Sequence, residues 1–573
     1  MMRNKIITLF FTAFSLLVYG QKDASELQKA YQQINKYGDV YFKLNIKERK
    51  DIKQFPKYIS IDSRSIKGNY IKAYVPKNRF NDLLNLHLDF EVIPKLKSTA
   101  SLEMANSLSE MSNWDKYPTY DVYTEMMRKF ATDYPNIAVL DTIGFSQNNH
   151  LILALKITSN PSQDEAKPRF FYTAQMHGDE LIGQILMLRL IDYLLSNYNS
   201  DSQVQNLVDN VEIWINPLAN PDGLYNGSDN TVANAMRYFN NWVDPNRNFP
   251  SPNSPHPDGE TYTVETTDMM NFMDLHHFDL SANLHSGAEV ANYPWDTWDT
   301  SVKTHPDNDW WIHVTSEYAN TVFANSSNNY FKGVSPNGII EGGDWYVIEG
   351  GRQDYVTYFK NGREFTLELS ADKFLDSQLL PQYWSYNYHS LLNYIQESLY
   401  GLRGIVTDAN TGEALDAKVE VVNHDMDNSF VFSRMPVGDY HRYLKGGTYD
   451  VTFSKQGYIS QTINIQVADN QTTIQNVQLV PETGAILNES LQDKIRLFPN
   501  PVNNSDIKLI IPYKGELNIS LFNSLGNKIC VYNYANERLN KKIELPVKDL
   551  SKGVYFLKIN FNNQVIYKRF IVQ

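Results

Sequence analysis

The sequence predicts an α/β fold: a mixed, mostly parallel, twisted sheet flanked by helices, followed by two small all-β sandwich domains. Between residues 113 and 400, apolar strand-like runs alternate with helical runs, which is the order of an α/β layer architecture. Several of these strands are apolar without alternation, as in a sheet covered on both faces. After residue 401, short strands separated by glycine turns predict sandwiches.

Length and composition narrow the class of protein. The chain has 573 residues, which is enough for three or four domains. Its formal net charge of −13 argues against nucleic acid as a partner. The one cysteine, Cys530, excludes a disulfide framework and a cysteine-based zinc site within the chain.

Residues 1–20 predict a signal peptide. They combine a basic start at Arg3 and Lys5 with an apolar centre and a cleavage edge before Gln21. A buried N-terminal helix is the alternative. No later stretch approaches the roughly 20 apolar residues that a membrane helix needs, so we expect no membrane span.

Residues 21–112 predict a separate N-terminal α/β unit. The expected elements are a helix at 24–37, strands at 40–44, 58–62 and 70–75, a helix at 78–86 and a strand at 90–93. Units of this kind often precede secreted hydrolases as propeptides, and a permanent accessory domain is the alternative.

Residues 113–400 predict the main domain. We expect helices at 120–133, 181–195, 266–275, 310–324 and 383–399, and strands at 138–143, 151–157, 169–174, 211–216, 280–284 and 365–369. In open α/β sheets, sites gather at the carboxyl ends of the strands. The following β-rich domains are expected at 401–481 and 495–573, joined by a polar linker at 482–494.

Two of the predicted strands run into candidate metal ligands. His177 and Glu180 lie three residues apart in the loop after the strand at 169–174, and His285 follows the strand at 280–284. A catalytic zinc site takes three His or carboxylate ligands and keeps one position for water. These three residues therefore form a candidate zinc site.

Three further charged residues suit hydrolytic chemistry at such a site. Glu368 lies inside an apolar strand, where a carboxylate either pairs with a cation or faces a site as a general base. Arg247 lies in a rigid polar loop and Arg237 ten residues earlier. Arginine side chains bind carboxylates with two parallel hydrogen bonds.

These motifs, taken together and in this order, resemble the zinc metallocarboxypeptidases of the carboxypeptidase A/B superfamily, and most closely the N/E/D regulatory branch. The resemblance covers about residues 114–480. Its motifs are His-Gly-Asp-Glu at 177–180, Asn-Pro-Leu-Ala-Asn-Pro-Asp-Gly at 216–223, Asp-Pro-Asn-Arg-Asn-Phe-Pro at 244–250, Ser-Ala-Asn-Leu-His at 281–285, Asp-Trp-Tyr at 344–346, Gly-Gly-Arg-Gln-Asp at 350–354 and Thr-Leu-Glu-Leu-Ser at 366–370.

The resemblance implies a carboxypeptidase-like catalytic domain with one zinc ion and a catalytic group around it. His177, Glu180 and His285 would hold the zinc. Glu368 would be the general base and acid, and Arg237 would polarise the scissile carbonyl and stabilise the oxyanion.

The resemblance also implies a set of substrate-binding residues. Asn246 and Arg247 would bind the terminal carboxylate of a peptide or protein substrate, and Tyr346 would close over it. Asp296 and Gln353 would line the specificity pocket, where the acid sets a preference for C-terminal Lys or Arg.

The chain departs from that branch at four positions near the site. Asp179 stands where the branch usually has Asn, Gln184 where it has Arg, Ser286 where it has Gly, and Arg352 where it has Met. No expected catalytic group is lost.

The two C-terminal domains also resemble known modules. Residues 402–480 resemble the transthyretin-like sandwich of the same branch. Residues 495–573 resemble the C-terminal sorting domains of type IX secretion, through Phe-Pro-Asn-Pro at 498–501, Leu-Phe-Asn-Ser-Leu-Gly at 521–526 and Gly-Val-Tyr-Phe at 553–556. A carbohydrate-binding or adhesive sandwich is the alternative for this last domain.

The resulting hypothesis is a secreted or surface-bound zinc carboxypeptidase of a Gram-negative bacterium. We expect it to remove C-terminal Lys or Arg, to act as a monomer and to engage secretion machinery through its last domain. A carboxypeptidase of broad or peptidoglycan-peptide specificity is one alternative, and a non-catalytic secreted peptide-binding protein is another. Serine-hydrolase and zincin endopeptidase motifs, Gly-x-Ser-x-Gly and His-Glu-x-x-His, are absent from the sequence.

Overall fold

The computed structural model describes residues 21–46, 52, 55, 58–62, 69–95, 100–327, 329–482, 495–503, 505–511, 515–523, 527–536, 541–561 and 564–573. The predicted signal peptide, most of the predicted linker and half of the 521–526 motif lie outside the described residues. The chain divides into two compact units. The first comprises the described residues up to Lys455 with residues 460–479, and the second comprises residues 456–459 with the described residues from Val480 onward.

The N-terminal part of the first unit is a small helix-covered sheet. Its elements are α1 (Gln21–Tyr37), β1 (Asp39–Asn45), β2 (Ser60–Asp62), β3 (Tyr70–Pro76), α2 (Phe80–Asn85) and β4 (Phe90–Val92). The strands pair antiparallel in the order β2-β3-β1-β4. Alternate residues such as Val40, Phe42 and Leu44 are buried, which gives this part a hydrophobic core of its own.

The main domain of the first unit follows. Its helices are α3 (Tyr120–Asp133), α4 (Ile182–Ser196), α5 (Ser202–Asn210), α6 (Pro221–Leu224), α7 (Val264–His276), α8 (Asn308–Asn325), α9 (Gly342–Trp345), α10 (Arg352–Phe359) and α11 (Leu380–Glu397). Its strands are β5 (Met104–Ala105), β6 (Tyr117–Pro118), β7 (Ala138–Phe145), β8 (Leu151–Ile157), β9 (Arg169–Ala174), β10 (Glu212–Asn216), β11 (Leu280–His285), β12 (Ala288–Tyr293), β13 (Ile339–Glu341) and β14 (Arg363–Ser370).

Eight of these strands form one mixed sheet in the order β13-β12-β14-β11-β9-β10-β8-β7. The four central strands, β14, β11, β9 and β10, run parallel to one another, and antiparallel neighbours flank them. Every residue of β10 and β11 is buried, as expected for parallel strands that helices cover on both faces. The predicted mixed α/β fold is confirmed.

Local sequence signals explain where several elements begin. The side chains of Thr119, Asp201 and Thr263 accept hydrogen bonds from backbone N–H groups in the first turns of α3, α5 and α7. The strands β8 and β9 have the predicted bounds. The sequence prediction did not include β12, which carries the polar residues Glu289 and Asn292, or β13, which has only three residues.

A β-sandwich completes the first unit. Its strands are β15 (Gly401–Asp408), β16 (Lys418–Val421), β17 (Val431–Phe432), β18 (Asp439–Arg442), β19 (Gly447–Ser454), β21 (Gln461–Val467), β22 (Thr472–Ile474) and the start of β23 (Val477–Pro481). One sheet has the order β17-β16-β19-β21. In the other, β15 pairs with β18, β22 and β23.

The second unit is entirely built of strands in the part that the structure describes. They are β20 (Tyr458–Ile459), β24 (Arg496–Phe498), β25 (Ile507–Ile511), β26 (Gly515–Asn523), β27 (Lys528–Asn536), β28 (Lys541–Leu545), β29 (Gly553–Phe561) and β30 (Gln564–Val572). Two sheets, β24-β25-β28 and β27-β26-β29-β30, enclose a core of aliphatic side chains that includes Ile507, Leu509, Ile519, Leu557 and Ile559. None of the described helices has both the length and the apolarity that crossing a membrane requires.

Candidate active site

The loop after β9 carries the first two candidate ligands. Gln175 adopts a positive φ of 60°, and its side-chain amide donates to the carbonyl of Gly178 over 2.8 Å. Gly178 lies so close to another loop that an added Cβ would be 2.2 Å from the carbonyl carbon of Gly223. The tight loop directs His177 and Glu180 inward, where they are only 3% and 4% exposed.

The third candidate ligand and the candidate base lie on adjacent strands. His285 is the last residue of β11, and Glu368 is its direct partner across the parallel pairing with β14. Because β9, β11 and β14 are neighbours in the parallel part of the sheet, their carboxyl ends bring these side chains to one edge.

Three candidate ligand side chains, His177, Glu180 and His285, converge at this edge. The Nδ1 atoms of His177 and His285 are 3.1 Å apart, and they lie 3.0 and 2.8 Å from the two carboxylate oxygens of Glu180. A tetrahedral zinc with bonds of about 2.0–2.1 Å places its ligand atoms about 3.3 Å apart. The donor set and its spacing therefore fit a zinc ion.

The outer ring nitrogens of both histidines have polar partners. His177 Nε2 lies 3.1 Å from Asp244 Oδ1, and His285 Nε2 lies 2.8 Å from the side-chain amide of Asn283. A metal-binding histidine usually donates its outer N–H to such a partner, which leaves the other nitrogen for the metal. The Asp244 carboxylate thus agrees with Nδ1 ligation by His177. Asn283 meets His285 with its Nδ2, so its amide must turn over to accept a hydrogen bond from His285 Nε2.

Arg237 and Asp244 form the charged support of this cluster. Arg237 Nε donates to Asp244 Oδ2 over 2.9 Å, and Nη1 lies 3.5 Å from Glu180 Oε1. Burial alone would lower the pKa of Arg237, but the carboxylates of Asp244 and Glu180 raise it above its ordinary value. The guanidinium is therefore a permanent positive charge beside the three donor atoms.

Glu368 has the environment of a general base. Its Oε2 atom is buried and has no hydrogen-bond partner among the described residues. Burial and the negative charge of Glu180 raise the pKa of Glu368 to about 7. A carboxylate with this pKa can take up and release a proton near neutral pH.

The turn at Pro245–Arg247 carries the two predicted carboxylate-binding residues. Asn246 accepts a hydrogen bond on its Oδ1 from the backbone N–H of Arg352 over 3.0 Å. Arg247 is 3% exposed, and its Nη1 donates to the carbonyl of Asn246 over 2.7 Å. An added Cβ at Gly351 would lie 3.4 Å from Asn246 Oδ1 and 3.6 Å from Asp296 Oδ2, so the side chains of Asn246 and Asp296 both flank Gly351.

The predicted specificity residues are polar and buried. Asp296 is 3% exposed and accepts a hydrogen bond from Asn292 Nδ2 over 3.1 Å. Burial and the neighbouring carboxylate of Asp354 raise the pKa of Asp296 well above its ordinary value. Both amide atoms of Gln353 are buried without a hydrogen-bond partner within the described ranges. These groups can bind a polar or cationic side chain.

The N-terminal part of the chain covers this site. Ser60 Oγ on β2 donates to Asp244 Oδ2 over 2.6 Å. Arg79 forms an ion pair of 2.7 Å with Glu260, and Lys77 lies 4.4 Å from the ring centre of Trp242. Tyr346 packs against the hydrophobic core of the N-terminal sheet. The predicted substrate-closing tyrosine is thus held between the site and this sheet.

Sequence reasoning missed two charged residues of the site. The sequence analysis assigned no role to Asp244, although the run Asp-Pro-Asn-Arg at 244–247 indicated a rigid polar loop. Lys373 lies in none of the sequence motifs. In the structure its Nζ lies 3.1 Å from Glu180 Oε1 and 3.2 Å from both oxygens of Asp179. The unusual Asp179 therefore pairs with Lys373.

Family comparisons agree with this geometry. The zinc carboxypeptidase family profile matches residues 123–390. The carboxypeptidase regulatory-like domain matches residues 401–480, and the secretion system C-terminal sorting domain matches residues 496–573.

Individual relatives are similar over more than half of the chain. Carboxypeptidase M of Mus musculus is 34% identical over 352 residues, which are 60% of this chain and 78% of the relative. Carboxypeptidase D of Rattus norvegicus is 33% identical over 391 residues, 66% of this chain, but the chain spans only 28% of that relative.

Among solved structures, the carboxypeptidase A from Helicoverpa armigera superposes with a TM-score of 0.48 and 19% identity, over 62% of this chain and 96% of the other. The match to carboxypeptidase M covers 78% of that protein. This chain belongs to the zinc carboxypeptidase family.

Proposed function

We propose that this protein is a zinc-dependent carboxypeptidase that hydrolyses the last peptide bond of peptides and proteins. One observation carries the proposal: two histidine Nδ1 atoms and a carboxylate converge within 3.1 Å beside Glu368, whose Oε2 has no partner among the described residues. His177, Glu180 and His285 would hold the zinc. A bound zinc ion supplies Lewis-acid chemistry and lowers the pKa of a water molecule.

The protein's own residues divide the remaining work of hydrolysis. Glu368 accepts a proton from the attacking water and then delivers it to the departing amine, which its pKa of about 7 permits. Arg237, fixed by Asp244, stabilises the negative charge that develops on the carbonyl oxygen.

Recognition of a free C-terminus follows from the turn at Pro245–Arg247. An exopeptidase must bind the terminal carboxylate, and the guanidinium of Arg247 together with the amide of Asn246 supplies charged and neutral donors for it. Tyr346 would close over the bound residue. Together these three residues limit cleavage to the last bond.

The preference for C-terminal Lys or Arg is argued from the predicted specificity residues. Asp296 is buried, and Gln353 offers two unpaired amide atoms in the described part of the chain. A buried carboxylate is costly to ionise unless a cation pairs with it, and a Lys or Arg side chain provides that cation. An apolar side chain would leave these groups unpaired.

The C-terminal region supports export through type IX secretion to the cell surface or medium. The match to a secretion sorting domain over residues 496–573 carries this part of the proposal. Expression of the chain without residues 496–573 in a type IX-competent host is the test, and unchanged export would contradict it.

The N-terminal sheet would act as a propeptide-like cover. Its contacts with Asp244, Glu260 and Trp242 support this role, because Asp244 itself contacts His177 and Arg237 of the candidate site. Its removal would open the site.

Peptides that end in Lys, Arg, Phe or Ala test the central proposal. We expect release of terminal Lys and Arg, which stops with a chelator and falls by about 10²–10⁴-fold in Glu368→Gln. Glu212→Gln is the matched control. Glu212 is a buried glutamate that begins β10, at the end of the strand away from the candidate site, and it pairs with Lys156 over 2.8 Å. Cleavage that survives the Glu368 substitution would refute the mechanism.

A further inference from the structure

Arg352, which stands where the related branch usually has Met, is fully buried in the centre of the domain. Its exposure is 0%, and its Nε and Nη2 donate to Glu364 over 3.0 and 2.6 Å. Ser281 Oγ donates to the same carboxylate over 2.7 Å. A buried arginine so tightly paired has one fixed position, so its remaining donors are fixed as well.

One of those donors begins a chain of hydrogen bonds that ends on a candidate metal ligand. Arg352 Nη1 donates to Thr173 Oγ1. The Thr173 hydroxyl donates to Asn283 Oδ1 over 3.2 Å, and Asn283 Nδ2 lies 2.8 Å from His285 Nε2. Thr173 and Asn283 are both 0% exposed, so water does not compete for these contacts.

The chemistry of the histidine decides how this chain of bonds must be oriented. If Nδ1 of His285 binds a metal, its lone pair is used there, and Nε2 must carry the hydrogen. Nε2–H can donate only to an oxygen, so metal binding requires the Asn283 amide to make a half-turn from the orientation in which Nδ2 faces the ring, and to present Oδ1 to His285. The NH2 group of Asn283 consequently faces Thr173 Oγ1, a hydroxyl oxygen that can accept from both Asn283 and Arg352.

We propose that the Arg352–Glu364 pair, acting through Thr173 and Asn283, holds the ring of His285 in the orientation and tautomer that bind the metal. The four are positioning residues, and the inference rests on the proposed function only in taking His285 as a ligand. The backbone N–H of Arg352 also holds Asn246 Oδ1 over 3.0 Å, so one residue fixes both the metal side and the carboxylate-binding side of the site.

Zinc affinity of the metal-free protein, measured by competition with a chromophoric chelator, tests this without any substrate. Thr173→Val keeps the shape of the side chain and removes the hydroxyl, and Asn283→Leu removes the amide. We expect both to weaken zinc binding by about 10–100-fold, the usual effect of losing such partners. We also expect the absorption spectrum of the cobalt-substituted protein to shift.

Arg352→Met combined with Glu364→Gln removes the charges of the pair and should weaken zinc binding in the same direction. The matched control is Arg363→Met, which breaks another buried pair on β14, to Asp307 over 2.7 Å. It should lower the melting temperature and leave zinc affinity unchanged. If the melting temperature falls in Thr173→Val, Asn283→Leu and the Arg352→Met/Glu364→Gln double variant but zinc affinity does not change, the Arg352–Glu364 pair is only structural. That result would overturn the inference.

The outcome is separable from that of the proposed function. Weaker zinc binding in Thr173→Val and Asn283→Leu supports the positioning role even if the unaltered protein cleaves no peptide. Zinc binding equal to that of the unaltered protein overturns it even if that protein is an active carboxypeptidase.

Discussion

Charges in the candidate active site are stabilised by neighbours of opposite sign. Burial alone would raise the pKa of Asp244, but Arg237 and His177 lower it well below its ordinary value. Asp244 can therefore hold a histidine, an arginine and the Ser60 hydroxyl at once. Asp296 differs, because burial and the charge of Asp354, which is also an acid, outweigh the opposite effect of Arg247 and raise its pKa.

This difference leads to a prediction for Asp296→Asn. We expect kcat/KM for peptides ending in Lys or Arg to fall by about 100-fold, since a desolvated charge pair is lost, whereas peptides ending in Ala change little. Asp268→Asn, at a half-buried acid outside the pocket, is the control. A loss of equal size for every peptide would contradict the specificity role.

At the scale of elements, the parallel strands determine where the chemistry lies. The strands β9, β11 and β14 end together at one edge of the sheet, and the loop after β9 must then turn within a few residues. Gly178 makes that turn possible through its close approach to the backbone of Gly223 and Leu224. The loop therefore depends on packing that a side chain at this position would disrupt.

Gly178→Ala should consequently lower both stability and metal binding. The added Cβ would lie 2.2 Å from backbone that cannot move as a side chain can, so we expect a loss of about 1–3 kcal/mol in unfolding free energy. Thermal unfolding and zinc titration measure the two effects. Gly333→Ala is the control, because its added Cβ would find its nearest neighbour at 3.8 Å. Equal behaviour of the two variants would contradict the packing argument.

At the scale of the whole molecule, buried ion pairs join the sandwich to the main domain. Asp307 on the main domain pairs with Arg442 of β18 over 2.7 Å and with Arg363 of β14 over 2.7 Å. Burial alone would raise the pKa of Asp307, but Arg442 and Arg363 lower it to about 2. The ionised carboxylate is thus stabilised by folding.

A dependence of stability on pH follows from this depressed pKa. The ionised carboxylate of Asp307 contributes about 2 kcal/mol to the free energy of unfolding above pH 4. This contribution is lost as the pH falls from about 4 to 2, when the folded protein takes up a proton at Asp307. Asp307→Asn should be less stable at neutral pH, because two arginines lose their partner, but should lack this part of the acid dependence. Unfolding free energies at several pH values measure it, and parallel curves for both proteins would refute it.

The N-terminal sheet gives a second prediction at this scale. A protease recognition sequence placed at residues 96–99, outside the described residues, would allow the sheet to be cut away after folding. We expect peptide hydrolysis to rise on cleavage and separation, because the contacts of Ser60 and Arg79 with the main domain are released. The unaltered chain treated with the same protease is the control. Activity that is unchanged by removal would show an accessory role.

The sequence by itself determined the mixed α/β fold and the bounds of strands such as β8 and β9, and it predicted the candidate metal ligands and the candidate base. These rest on local patterns: apolar runs, strand-end polar residues and motifs whose order along the chain is specific. The strands β12 and β13, at one end of the sheet, lack such a pattern, because pairing with neighbours rather than composition makes them strands.

Only the tertiary structure decided which residues support the ligands. His177 meets Asp244 across 67 positions of sequence, Asp179 meets Lys373 across 194, and Thr173 meets Arg352 across 179. No local pattern predicts such pairs, since each is created when the loops and strands of a folded sheet come together. The physical reason is that burial makes every charge and amide depend on whichever partner the fold brings within hydrogen-bond distance.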